Sequence, residues 1–150
     1  MSETDKLVAM TKKEILRIVD EIGMRHGRKR VFCDFLAISA IRMSNKTDKV
    51  HYDERFQEAL IICKKYTEAE GSLFIKMHNI LVMAYKELFE HGHFIDILGL
   101  LYMELGLSGN DQDFTPSDYS ALISQLVYEG NPAIVGKAGF RKIADYTCGS

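Results

Sequence analysis

The chain has no tryptophan, only two prolines and only three cysteines among its 150 residues. No proline precedes Pro116, and the second is Pro132. Long helices are therefore permitted early and breaks are forced late. Cys33, Cys63 and Cys148 stand far apart, form no C-x-x-C, and cannot all pair within one chain. That pattern excludes a disulfide scaffold and predicts a reducing, cytoplasmic setting. Long apolar runs are missing too. The stretch Ile95 to Leu107 is interrupted by Asp96, Gly99, Glu104 and Gly106, which predicts a buried helix rather than a membrane span. Met1-Ser-Glu-Thr-Asp-Lys6 is polar and acidic, unlike a signal peptide. A formal net charge of -2 gives no global attraction to DNA or to an anionic membrane, so any DNA-binding surface must be local. The serine-hydrolase signature G-x-S-x-G and the phosphate-cradling G-x-x-x-x-G-K do not occur. His91 and His93 form a close pair without a cysteine or carboxylate cluster at ligand spacing, so no metal site is expected.

What is present is an ordinary globular composition, 47% hydrophobic and 27% charged. It suffices for one core and is too short for two full domains. Thr11-Lys-Lys-Glu14 has the form of a capping box and predicts a helix start, followed by Ile15, Ile18, Val19 and Ile22 and an end near Gly23 or Gly27. A second helix is predicted from Arg30 to Met43, with Phe32, Phe35, Leu36, Ile38, Ala40 and Ile41 as its apolar content. The polar stretch Ser44 to Lys49 then reads as a loop. Asp53 is a candidate cap for a third helix bearing Phe56, Ala59, Leu60 and Cys63. Gly71-Ser72 reads as a break, or as a restart capped by Ser72. Leu73 to Phe89 is the densest apolar segment and predicts a central helix closed by His91-Gly-His93, with a fifth helix from Phe94 to Leu107. Met77, Met83, Tyr85, Tyr102 and Met103 are expected in the core, and Cys33 and Cys63 are expected to be packed rather than reactive.

Ser108 to Asp113 reads as a linker, and the sequence beyond it changes character. Thr115-Pro116 predicts a helix start with proline at the first position, continued by Tyr119, Leu122, Ile123, Leu126 and Val127. Phe140 to Asp145 predicts a strand that delivers a carboxylate into a tight turn containing Gly149. In open α/β folds a nucleotide-like ligand sits at the carboxyl end of such a strand, where glycine permits close backbone approach.

Together, Phe114-Thr115-Pro116 and Asp145-x-Thr147-Cys148-Gly149-Ser150 resemble the start of the cofactor-binding half of adenine-specific DNA methyltransferases of restriction-modification systems, especially type I modification subunits. The motif resemblance covers only the C-terminal stretch; the helical remainder is compatible and carries no diagnostic motif. The resemblance implies that Thr115 and Pro116, with Phe114 beside them, line the methionine side of an S-adenosylmethionine pocket. It implies equally that Asp145, Thr147, Cys148 and Gly149 wrap the donor through backbone contacts, Cys148 serving shape rather than nucleophilic attack. The pattern departs from the family where the chain stops before a further glycine, the acidic strand end that holds the ribose, and the N-P-P-Y-type tetrad. Asn131-Pro132-Ala133 lies before the glycine turn and lacks the second proline and the aromatic. Methyl transfer to an extruded adenine needs a donor site and a base pocket. The 150 residues carry part of the first, so no catalytic residue is assigned and the isolated chain is expected to be inert.

The expected architecture is mainly α: a multi-helix domain over residues 1–110, then the truncated start of a Rossmann-like methyltransferase domain over residues 111–150. Its partners are expected to be DNA and either a specificity subunit or a second copy, with no membrane. The basic run Arg25-His-Gly-Arg28-Lys29-Arg30 offers Arg25, Arg28, Lys29 and Arg30 as phosphate contacts, against the plainer reading of a solvated inter-helix loop. The rival function is a stand-alone helical partner-binding protein, such as a mobile-element anti-restriction or other anti-defence inhibitor.

Overall fold

A computed structural model describes residues 2–107 and Leu122. The chain divides into two units, Met1–Ser108 and Gly109–Ser150. The first is built from five helices, with no strand among the described residues: α1 (Glu3–His26), α2 (Arg28–Thr47), α3 (Tyr52–Cys63), α4 (Glu68–Glu90) and α5 (Ile97–Glu104). The fold is thus mainly α. No helix among the described residues is long and apolar enough to cross a membrane.

α1 begins a full two turns before the Thr11 start that the sequence suggested. Ser2 Oγ accepts from Asp5 N at 3.0 Å while an Asp5 carboxylate oxygen accepts from Ser2 N at 2.9 Å. That reciprocal pair is a capping box with aspartate in the third position. Thr11 lies instead on the buried face, 5% exposed. The stripe Ile15, Ile18, Val19 and Ile22 is buried as expected, and the half-buried Leu7 and Val8 extend it toward the start of the helix. α1 ends at Gly27, whose φ of 82° is open to glycine and strained for other residues. The same glycine opens α2, so the two helices meet with no intervening loop.

α2 continues a turn beyond Met43, so Ser44 to Thr47 are helical and the predicted loop shrinks to residues 48–51. Arg55 ties that corner. Its guanidinium donates to Asn45 Oδ1 at 2.8 Å, to Asp48 Oδ2 at 2.8 Å and to the Asp48 carbonyl at 2.7 Å. The same guanidinium holds the Asp48 carboxyl below its usual range. α3 starts at Tyr52 after His51, which makes no side-chain cap bond, and Asp53 lies inside its first turn. No α3 residue is fully buried.

α4 runs unbroken through Gly71-Ser72, for about 35 Å at 1.5 Å per residue. Its cap is Thr67, which with Glu70 forms a second capping box. Ser72 merely donates to the Glu68 carbonyl at 3.1 Å. The helix closes where His91-Gly92-His93 placed the end: His93 N donates to Leu88 O at 2.8 Å and Gly92 N to Phe89 O at 3.0 Å, with Gly92 at φ 73°. These crossed bonds form a Schellman closure, and Gly106 ends α5 in the same way, with Leu107 N donating to Tyr102 O at 3.2 Å. α5 is shorter than the predicted Phe94–Leu107, because Asp96 caps it by accepting from Gly99 N at 2.8 Å.

α1 packs against α2, α4 and α5, and α2 packs in addition against α3 and α4. The core joins the α1 stripe to Val31, Phe32 and Phe35 of α2, to Phe74, Met77, Leu81, Ala84 and Leu88 of α4, and to Ile97 and Leu101 of α5. The apolar α5 therefore spends its hydrophobicity on this core. Met77 is fully buried and Tyr85 and Tyr102 pack at the core edge, but Met83 and Met103 are 71% and 51% exposed. Cys33 and Cys63 are exposed free thiols rather than packed ones. α4 positions 74, 77, 81, 84 and 88 face inward. Cys63 sits on a helix that buries no residue, and Cys33 lies beside Phe32 but points off the buried stripe.

Candidate functional site

The basic run falls at the corner between α1 and α2. Arg25 and His26 end α1, where cations meet the negative end of the helix dipole, and Arg28, Lys29 and Arg30 form the first turn of α2, where they do not. The corner is not a loop: only Gly27 is non-helical. Arg28 Nε lies 2.6 Å from an Asp20 carboxylate oxygen, and Arg25 lies 3.7 Å from Glu70. Lys29 and Arg30 are exposed and make no ion pair among the described residues. Of the four candidates, these two are the cations left available to a phosphate.

Glu70, 7% exposed, organises what lies behind the corner. One carboxylate oxygen accepts from Thr67 N at 2.8 Å and from Thr67 Oγ1 at 3.0 Å. The other faces His26 Nε2 at 3.3 Å. That nitrogen is buried and has no aligned hydrogen bond, so the approach is an ion-pair distance only. The Thr67 backbone N–H, first among several partners, holds the Glu70 carboxyl below its usual range. The His26 ring packs on Tyr66 with centroids 4.6 Å apart, and Tyr66 meets the Phe74 ring edge-on at 4.7 Å. The Tyr66 hydroxyl donates to Asp34 at 2.8 Å, and Lys65 approaches the same carboxylate at 3.4 Å. Burial and then the Asp34 hydrogen bond push the Tyr66 hydroxyl up, so it stays protonated and is no general base. Chemically this cluster is a latch. It fixes the end of α1, the start of α2 and the start of α4, and so fixes the backbone that carries Lys29 and Arg30.

A second feature lies between α2, the end of α3 and the start of α4. A cleft of about 440 Å³ is walled by Ile38, Cys63, Phe74 and Ile75, with Arg42 and His78 among its polar lining. His78 is 7% exposed, and its Nδ1 lies 3.1 Å from Ser39 Oγ. Burial, followed by the charges of Arg42 and Lys46, lowers the His78 pKa, so its ring is neutral near pH 7.

The residues assigned to the methyl donor, Phe114, Thr115, Pro116, Asp145, Thr147, Cys148 and Gly149, lie outside the described residues, as does the predicted strand that ends at Asp145. Among the described residues no group of three or more His, Cys, Asp or Glu could hold a metal ion.

Reading the sequence missed Glu70, Tyr66 and Asp34 as a group. One signal was available: Thr67-x-x-Glu70 has the capping-box spacing. The pairings Tyr66 with Asp34 and His78 with Ser39 join residues 32 and 39 positions apart and leave no local trace.

Comparison with known proteins returned no matching family model, no matching curated protein and no matching solved structure.

Proposed function

We propose that this chain supplies the helical region and the first methyl-donor-binding elements of a DNA adenine-N6 methyltransferase of a restriction-modification system. The observation that carries the reading is the motif pair itself, Phe114-Thr115-Pro116 followed by Asp145-x-Thr147-Cys148-Gly149-Ser150. In this reading residues 111–150 open a Rossmann-like domain, and S-adenosylmethionine binds between the helix start and the glycine turn. The mainly helical first unit is compatible with it, and Lys29 and Arg30 add a small cationic surface on a rigid corner. Those cations contribute position and affinity on DNA rather than sequence reading. No N-P-P-Y-type tetrad occurs in the 150 residues, and none of them is assigned a catalytic role.

The test is methyl transfer from radiolabelled S-adenosylmethionine to adenine in duplex DNA, catalysed by the product of the complete reading frame. Transfer to N6 that is abolished by Gly149→Val, which blocks close backbone approach at the turn, supports the assignment. A product that neither binds the methyl donor nor modifies DNA contradicts it. The second reading, a helical partner-binding protein of anti-restriction type, draws on the apolar side chains that face water. Ile61 of α3 and Ile75, Val82 and Phe89 of α4 are between 46% and 68% exposed. Co-purification with a restriction-modification subunit, without donor binding, would favour it.

A further inference from the structure

We propose that the cleft between α2, the end of α3 and the start of α4 is a binding site for a small amphipathic monoanion. Its hydrocarbon part lies against Phe74 and Ile75 and its carboxylate lies at Arg42. The site is built from residues of the first unit and does not depend on the methyl-donor assignment.

The volume, about 440 Å³, falls within the range of small-molecule sites, and the walls are predominantly hydrocarbon. An apolar pocket with one convergent polar edge binds ligands that share that division. The polar edge holds one guanidinium, Arg42, and one carboxylate, Glu68. Arg17, Arg28 and Arg55 each engage a carboxylate at 3.1 Å or closer, whereas Arg42 has no carboxylate partner among the described residues. Burial lowers the His78 pKa first, and the charges of Arg42 and Lys46 add to that shift, so both cations lie near enough to act on the ring. His78 is buried and lines the same cleft, and no protein group among the described residues meets its Nε2. When Ser39 Oγ donates to Nδ1, the proton sits on Nε2, and the ring offers a second donor to an anion beside the guanidinium. Glu68, also on the lining, offsets part of the Arg42 charge, which limits the ligand to a single negative charge and disfavours a doubly charged phosphate.

Cys63 provides the readout, because its thiol is exposed and lines the cleft, while Cys33 is exposed and is not part of the lining. The full chain is alkylated with N-ethylmaleimide in the presence of sodium decanoate below its micellar concentration, and each cysteine is followed by peptide mass spectrometry. Decanol and decyltrimethylammonium serve as neutral and cationic counterparts. At about ten times the decanoate Kd, the Cys63 rate should fall about tenfold, the fraction of sites left empty, and the Cys33 rate should hold. Arg42→Gln should weaken protection by decanoate and leave the weaker effect of decanol unchanged, and Ile75→Trp should fill the cleft and abolish both. Circular dichroism verifies that both variants keep the wild-type helical signal. Unaltered Cys63 reactivity, equal protection by decanol or by the cation, or an equal fall at Cys33 would each overturn the proposal.

Discussion

Thr67→Ala should cost about 1 kcal/mol, the usual worth of a helix N-cap. Thr67 Oγ1 accepts from Glu70 N at 3.3 Å and donates to the Glu70 carboxylate at 3.0 Å, with the cap residue in extended geometry at φ -71° and ψ 164°. Alanine removes both bonds and leaves the Glu70 amide without its partner at a part-buried position. Ser72→Ala removes one bond to a backbone carbonyl in mid-helix, and alanine is the better helix former, so the expected change lies within about 0.5 kcal/mol of zero. Thr67→Ser keeps the hydroxyl and should recover most of the loss. For a unit of this size, 1 kcal/mol corresponds to a fall in Tm of roughly 4 °C or more. Urea unfolding followed by far-ultraviolet circular dichroism measures all three variants. The reasoning fails if Ser72→Ala is as damaging as Thr67→Ala, because α4 would then restart at Gly71-Ser72.

Glu14 is held at about 2, below its ordinary 4.5, first by the Arg17 guanidinium and then by Lys76 of α4. A depressed folded-state pKa contributes stability above the unfolded value and loses it as pH falls through the folded one. The gap in urea midpoint between wild type and Glu14→Gln should therefore be widest near neutrality and close between pH 4.5 and about 2; a gap independent of pH would contradict the ion-pair account. Leu101→Ala, at a fully buried position, should cost about 2–5 kcal/mol, while Met83→Ala, at a side chain 71% exposed, should stay within about 0.5 kcal/mol. Equal losses at the two sites would mean that the inward face of α4 or of α5 is wrongly assigned. If the corner touches DNA, Lys29→Gln with Arg30→Gln should weaken binding to all duplexes alike and reduce the salt-dependence slope by about 2, whereas Arg28→Gln, already paired with Asp20, should do less. Fluorescence anisotropy across a salt series measures the slopes, and an Arg28 effect as large as the pair's would contradict the electrostatic argument.

The helical fold was readable because period and punctuation agreed. Ile15, Ile18, Val19 and Ile22 mark one face, and Gly27 and Gly92 sit at positive φ where the helices end. Starts were harder. Among the described residues three candidate hydroxyl caps have a carboxylate three positions on, at Ser2, Thr11 and Thr67, and the choice between Ser2 and Thr11 depends on whether Leu7 and Val8 find a surface to pack on. That is tertiary information. Gly71 misled for a related reason: glycine weakens a helix by about 1 kcal/mol, which packing of the Phe74, Met77 and Leu81 face outweighs. Met83 and Met103 misled because a methionine at helical spacing fits either face, and only the packing of α4 and α5 against α1 decides which is inside. The corner cations were legible as a run. Their division into paired Arg25 and Arg28 and unpaired Lys29 and Arg30 was not, because Asp20 and Glu70 reach them from other turns and another helix.

The most direct test of the functional account is photo-crosslinking of S-adenosylmethionine to the product of the complete reading frame, with the labelled peptides identified by mass spectrometry. Label on both the Phe114-Thr115-Pro116 peptide and the Asp145 to Gly149 peptide, competed away by S-adenosylhomocysteine, is the predicted result. Label on neither peptide, or label that the competitor leaves in place, would contradict it.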